Sequence, residues 1–594
     1  MAYDVIGEHE PRNQDDKAPI YSPSPEERQA IKLVEGLFQK AKLSRSRYDN
    51  RWLDYYHFFR GKQWKETRPS YRHSEVINFI FQSIQSTVPI ITDSRPRFNF
   101  IPQEPTDADF ATLMNDIADS DWTKHNWLNE LTELIYDGHF YGTGLSSLCY
   151  DDEADHGEGR IKYESEDPFW CFPAPEARDT NKECPYFVHA RPRPLDWVKK
   201  RWPEHKEHVK ADLIDLMKGA KTDLKKISFR SPVDDKLYLE QDGNPSDSLD
   251  KDKALVITVF IKDDEAFEEF EKEVDGQKVY EQRKKYPNGR RLIVCSGVLL
   301  EDGPNPYEDG DIPFARWQNY VLPREFWGIS EVEQLESPQR IFNKLISFAL
   351  DVLTLMGNPV WIVSNDSDVD TENLFNRPGL IIEKNPGSEV RREEGTQLQP
   401  YVLQLIDRMQ QWFNDIAGTQ DVTRGATPGS VTAASAISSL QEAAQTRVRQ
   451  KSRNLDCYLQ TVGQQYASRV MQYYTAPRVF RLTNNEGATR YFKAMFEGGT
   501  ATVQQWNAEG QGWGEPVKLQ AQGKLDVKVT TGSALPFAKA EKEQKLLQLF
   551  DRGIIDPQEV LQGTDYPNWE TVLQRVQERQ AAAAQAQAAA QQQG

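Results

Sequence analysis

The side chains best suited to chemistry are present in this chain but dispersed. Five cysteines (Cys149, Cys171, Cys184, Cys295 and Cys457) and nine histidines are spread over 594 residues. No Cys-x-x-Cys pair and no Cys/His grouping has zinc spacing, so the thiols are expected to be reduced and mostly buried, and no metal site is expected. His205 and His208 stand three apart on a Lys-rich stretch without a third ligand, and read as solvated or structural. Asp151-Asp152 and Asp263-Asp264 are carboxylate pairs of the kind that can hold Mg²⁺, but a chain with 91 acidic residues contains such pairs through composition alone. Neither glycine-rich stretch is a phosphate loop. Gly425 to Gly429 lacks the lysine that must reach the phosphates. Gly142-Thr143-Gly144 is followed by no Lys-Ser/Thr, and reads as a strand start or a close helix contact. There is no His-Glu-x-x-His. With no nucleophile–base set and no phosphate cradle, neither an enzyme nor a cofactor is expected. The surviving enzymatic alternative is a Mg²⁺-dependent DNA-processing nuclease built on Asp263 and Asp264.

The elements that must position any site are easier to read. A length of 594 residues implies several compact units. The 14 Trp, 23 Tyr and 27 Phe argue against wholesale disorder. The net charge of −19 argues against a protein that coats DNA by bulk positive charge. No basic-then-apolar leader opens the chain, and the longest apolar run, 345–356, is too short to span a bilayer, so no membrane partner is expected.

Helical periodicity begins at Pro25, with Ser24 as N-cap, and runs to Phe59, where Trp52, Tyr55, Tyr56, Phe58 and Phe59 read as a packed face. Further helices are expected over 75–91 (ended by Pro89), 106–148 as a hairpin, 196–218, 330–356 with Ser330 and Glu333 at capping-box spacing, 401–416, 432–474, 537–550 and 557–579. Strands are expected over 145–190, 255–261, 290–300, 359–363, 379–383 and 478–530. Residues 219–254 read as a polar loop. In 263–275 acids dominate and in 278–291 cations, and the second stretch contains a Tyr286-Pro287-Asn288-Gly289 turn of hairpin type leading into the returning strand at 290–300. That pattern suggests a small β module with separate acidic and basic faces. These faces either stay solvated or meet a partner of opposite charge.

Two stretches resemble the portal proteins of tailed bacteriophages, in particular the larger portals of short-tailed phages. The first is Trp327-Gly328-Ile329-Ser330-Glu331-Val332-Glu333, with its helix running to Leu355-Met356-Gly357-Asn358-Pro359. The second, more specific stretch is Asp421-Val422-Thr423-Arg424-Gly425, then Pro428-Gly429, Thr432-Ala433-Ala434-Ser435-Ala436-Ile437 and Leu440-Gln441-Glu442-Ala443-Ala444-Gln445-Thr446-Arg447.

The resemblance implies an α+β, mainly helical portal fold of wing, stem, clip and crown with small β-rich modules, closed into a ring of twelve around a tunnel. By position it implies a flexible arm at 1–23, wing and first stem-side region at 24–254, a clip-like β module at 255–320, a stem helix at 321–358 and a wing/β region at 359–417. A tunnel loop at 418–431, a long helix with wing/crown strands at 432–540 and a crown with an Ala/Gln-rich tail at 541–594 complete it. The implied partners are double-stranded DNA in the tunnel, the terminase large subunit, scaffolding and major capsid proteins, and connector or tail proteins. The implied location is the unique capsid vertex of the virion, after assembly in the host cytoplasm; the non-enzymatic alternative is another ring-forming adaptor or tail protein, which is usually much shorter.

Within that frame the DNA-facing loop residues would be Gln420, Thr423, Arg424, Thr427 and Pro428, with Arg424 near phosphate or in an inter-subunit ion pair. Arg283, Lys284, Lys285, Arg290 and Arg291 would face partners at the clip. Arg447, Arg449 and Arg453, with Lys451 between them, would face carboxylates of neighbouring subunits. The acidic total suits a conduit, because each phosphate contact adds affinity that must be overcome to move DNA.

Overall fold

Ser24 starts the first long helix by a reciprocal cap: its hydroxyl accepts from the Glu27 N–H at 3.2 Å, and the Glu27 carboxylate accepts from the Ser24 N–H at 2.7 Å. In the computed structural model the described residues are 21–65, 67–93, 97–102, 104–212, 252–262, 267–274, 277–357, 361–369, 371, 374, 381–392, 398–418, 446–483, 489–507, 512–520, 526–530 and 545–564. The first part of the chain forms α1 (Pro25–Phe59), α2 (Phe79–Asp93), β1 (Arg97–Ile101), α3 (Ala108–Lys124), α4 (Trp127–Tyr141), β2 (Thr143–Asp151), β3 (Arg160–Glu166), β4 (Cys171–Pro173), β5 (Tyr186–Pro194) and α5 (Leu195–Arg201). Next come β6 (Lys253–Ile261), β7 (Phe267–Val274), β8 (Gln277–Lys284), β9 (Arg290–Cys295), β10 (Val298–Pro304), β11 (Phe314–Gln318) and α6 (Glu331–Gly357). After α6 lie β12 (Trp361–Val363), β13 (Val390–Arg392), α7 (Pro400–Ala417), α8 (Thr446–Tyr473), β14 (Arg478–Thr483), β15 (Thr489–Glu497), β16 (Thr500–Asn507), β17 (Gly512–Trp513), β18 (Val517–Gln520), β19 (Asp526–Thr530) and α9 (Pro557–Gly563).

The larger apolar core gathers α1, α2, α3, α4 and α8 with the inner faces of the sheets, and a smaller one lies around Val198, Val256 and Val298. Its aromatic centre is Trp52, whose ring lies 4.7 Å from Trp327, 5.5 Å from Phe169 and 5.7 Å from Tyr141. The aromatic run at the end of α1 is therefore a packed face, as its spacing suggests. One antiparallel sheet has the order β10-β9-β6-β5-β4, a second β11-β2-β3, and a third β14-β15-β16-β17 with β18 also on β16. β1 pairs with β19, joining residues more than 400 positions apart.

Several expected boundaries move. Helix α2 begins at Phe79 because residues 73–78 run along α6 instead. There the backbone N–H groups of His73, Glu75, Ile77 and Phe79 donate to side chains of Asp351 (2.7 Å), Ser347 (3.1 Å), Asn343 (3.3 Å) and Gln339 (3.1 Å). The match is geometric, since two residues of extended chain advance about 6.6 Å and four residues of helix about 6 Å. Pro89 sits inside α2. The helix expected over 196–218 is only α5 in its described part, and the 106–148 hairpin gives way to strand at Thr143. Residues 381–383 are not strand, and β12 pairs instead with β13.

The stretch 255–320 does not stand apart as one module. Strands β6, β9 and β10 belong to the five-stranded sheet, while β11 joins β2 and β3. Tyr286–Gly289 is a true turn, closed by the Gly289 N–H on the Tyr286 carbonyl at 3.1 Å, but the strands it joins pair with other partners. The tight hairpin is instead at Ser296-Gly297, both at positive φ (51° and 75°), between β9 and β10. The acidic and basic runs do not form separate faces either. The β7–β8 register sets Glu268 opposite Arg283 and Glu273 opposite Lys278.

Gly142 caps α4 at φ 86°, and a Cβ there would lie 2.2 Å from the carbonyl oxygen of Gly328. This contact seats the segment entering α6 against the end of α4. Gly142→Ala is expected to destabilise the fold by roughly 2–4 kcal/mol, from left-handed strain plus the clash. The urea midpoint followed by tryptophan fluorescence measures the loss.

Candidate functional site

The expected loop residues Gln420, Thr423, Arg424, Thr427 and Pro428 lie outside the described residues, as do Asp263 and Asp264 of the nuclease alternative. The two shoulders of that loop are described. Helix α7 buries Val402, Met409, Phe413 and Ala417 on one face and ends at Gly418 in the left-handed region, φ 71°. Phe79 bridges α6 and α7, 4.9 Å from Phe342 and 5.3 Å from Phe413. Phe79 thus links the first half of α6 to the end of α7.

The second shoulder, the start of α8, is anchored by a polar cluster sealed from water. Lys451 donates to the Glu331 carboxylate at 2.5 Å and lies 3.3 Å from His139 Nε2 and 4.7 Å above the Tyr320 ring. Asn319 donates to the same carboxylate at 3.5 Å, and the hydroxyl of Ser330 donates to the His139 carbonyl at 2.9 Å. Burial alone would raise the Glu331 carboxyl. The Lys451 charge, His139 and the hydrogen bond from Lys451 outweigh it and hold the carboxyl below its ordinary value. Burial, then the Lys451 charge, push His139 down to about 3, so its imidazole is neutral. The cap of α6 also differs from expectation: the Ser330 hydroxyl accepts from the Val332 N–H at 3.0 Å, and Glu331 turns inward to Lys451.

Lys451 therefore does not face a neighbouring subunit. A signal for this is in the sequence, since Lys451 continues the stripe Leu455, Tyr458, Leu459, Val462 and Tyr466, all buried on α8. Of the other basic residues on this helix, Arg453 is exposed, Arg449 is half-buried and Arg447 lies in its first turn.

The partner-facing candidates are largely committed within the chain. Arg290 forms a two-pronged pair with Asp302 at 2.8 and 2.7 Å, and Arg291 pairs with Glu301 across the same hairpin. Arg283 stands opposite Glu268 in the β7–β8 register, while Lys284 and Lys285 are exposed.

Among the described residues, no group of three or more His, Cys, Asp or Glu could hold a metal ion, and no helix is long and apolar enough to cross a membrane. Cys171, Cys184 and Cys295 are buried, and burial pushes their thiols up, Cys184 and Cys295 to about 12. Such thiols are poor nucleophiles. Asp152 is paired with Arg201 at 3.0 Å, and His208 packs 5.4 Å from the ring of Tyr21.

A family profile described as Phage P22-like portal protein matches residues 42–594 of the chain. The chain belongs to that family. Membership makes it a structural phage portal protein rather than an enzyme, and implies a capsid-associated ring at a virion vertex. No curated protein matches it. The match covers both stretches that carry the resemblance and extends over the sheets and the second half of α1.

In this portal chain Lys451→Met strands the Glu331 carboxylate in the core, and is expected to cost roughly 3–5 kcal/mol. Adding Glu331→Leu should restore most of it, as read from urea midpoints. Acid should act on the same cluster. His139 is depressed in the folded chain, so its contribution is intact above pH 6.5 and is lost as pH falls toward about 3. The midpoint should therefore drop between pH 6.5 and 4.5, above the ordinary range of Glu331, and drop less steeply in His139→Gln.

Proposed function

We propose that the chain assembles as a ring of twelve copies and serves as the conduit for double-stranded DNA during packaging and ejection. The terminase large subunit docks on the ring during packaging, and connector or tail proteins replace it. Scaffolding and major capsid proteins surround it, with assembly in the host cytoplasm. The observation that carries this reading is the family match across 42–594, together with the α6–α7 pair, bridged by Phe79, leading through residues 419–445 into α8. A stem of paired helices with a loop at one end and α8 anchored beside it suits a channel wall. Phe348 and Leu353 of α6 and Tyr401, Leu403 and Trp412 of α7 are exposed, which supports their being covered by neighbouring copies.

Residues 358–399, which link the end of α6 to the start of α7, suit the clip better than 255–320, whose strands are shared among three sheets. The 418–431 segment is read as the tunnel loop, with Arg424 its only basic residue. Arg453 remains the best inter-subunit candidate on α8, being exposed.

The test is direct. Twelve copies of 68.3 kDa make a particle of about 0.8 MDa, visible by mass photometry and as a holed ring by negative stain. A monodisperse monomer under all salt conditions overturns the reading. Deleting residues 425–429 should leave the ring intact but impair DNA packaging or genome retention. Loss of the ring would make the segment a structural joint instead.

A further inference from the structure

The loop between α1 and α2 is a basic, largely exposed segment of an otherwise acidic chain. Residues 60–73 hold Arg60, Lys62, Lys65, Arg68 and Arg72 against one acid, Glu66, a balance of +4 within a total of −19. The loop is anchored on α6 at both ends. On the outward run Arg340 donates to the Gln63 carbonyl at 3.3 Å and Asn343 to the Gln63 side chain at 2.5 Å. At the far end His73 bonds Asp351 through its N–H (2.7 Å) and Thr354 through its ring (3.0 Å). Asn343 and Asp351 are eight residues apart, about 12 Å along the helix, so the loop lies along α6 and returns through the 73–79 ladder.

Its internal contacts hold that shape without neutralising it. Arg68 stacks 4.7 Å from the Trp64 ring and donates to the His73 carbonyl, while Trp64 Nε1 donates to the Glu75 carbonyl at 3.2 Å. Lys65 pairs with Asp54 at 2.7 Å, both largely exposed, a weak tie. Arg60, Lys62 and Arg72 are exposed and make no ion pair among the described residues, and Tyr71 is 76% exposed beside Arg72.

We propose that this strap is a second nucleic-acid contact, distinct from the 418–431 loop, that takes the phosphodiester backbone of duplex DNA without reading its sequence. Protein interfaces centre on apolar anchors and are depleted in lysine. Here the outward side chains are cations and one tyrosine, and the tryptophan is turned to the loop's own support. A few phosphate contacts on a preformed platform give weak, salt-sensitive binding that DNA can leave. The choice of DNA as the polyanion rests on the portal reading.

The experiment uses the full chain and a fluorescein-labelled duplex of random sequence, titrated by anisotropy from about 50 to 200 mM NaCl, the range over which phosphate contacts are read. Lys62→Glu with Arg72→Glu should weaken binding at least tenfold at low salt and reduce the log–log salt slope by about 2. Lys206→Glu with Lys210→Glu, the same charge change at exposed positions elsewhere, should leave the slope unchanged. An unaltered slope in the strap variant, equal losses in both variants, or a wild-type chain that binds no DNA overturns the proposal. So does loss of the ring in the strap variant alone, which would make the strap an inter-subunit contact. A wild-type chain that forms no ring defeats the portal reading instead, and the slope comparison still decides the strap.

Discussion

A lysine and a glutamate shut away from water hold the architecture in register. Lys451 and Glu331 bring the start of α8 against the start of α6, and neutral His139 ties both to the end of α4. Taking two charges out of water is costly, and the pair persists because geometry and further donors compensate it. The benefit is positional, since an apolar contact could slide where this one cannot. The Gly142–Gly328 backbone contact and the edge-to-face packing of Trp52 on Trp327 fix the same junction from the other side. From it α6 projects, carrying the 73–79 ladder, the basic strap and α7.

The same logic extends along α8, which runs through the core although it carries many polar residues. Tyr458 bonds Ser146 at 2.6 Å and Tyr163 at 2.7 Å. Tyr466 and Tyr474, the latter just past the helix end, converge on buried Asp121 at 2.7 and 2.9 Å. Arg469 reaches the Leu148 carbonyl at 2.9 Å and Asp309 at 3.1 Å. Each bond is directional, so together they specify one rotation and one height for the helix among the sheets.

Much of this was legible where local chemistry decides structure. The Ser24 cap, the run of α1, the 27-residue α6 and the left-handed stop of α7 at Gly418 follow from capping, periodicity and glycine. What failed was long-range. Residues 75–78 are expected to open a helix, yet a polar stripe on a helix 260 or more positions away holds them out of it. Asn288-Gly289 is good hairpin chemistry, but β9 finds β6 and β10 instead of β8. Lys451 looked like a surface charge because composition hides a partner 120 residues earlier, although its place on an apolar stripe marked it as buried.

The pairing of β1 with β19 carries a consequence in time. A ribosome adding about 5–20 residues per second needs roughly 20–90 seconds to travel between the two strands. During that interval β1 has no partner, and the α3 and α8 surfaces it will cover stay open. The sheet that β1 opens is thus closed only after more than 400 further residues have been made.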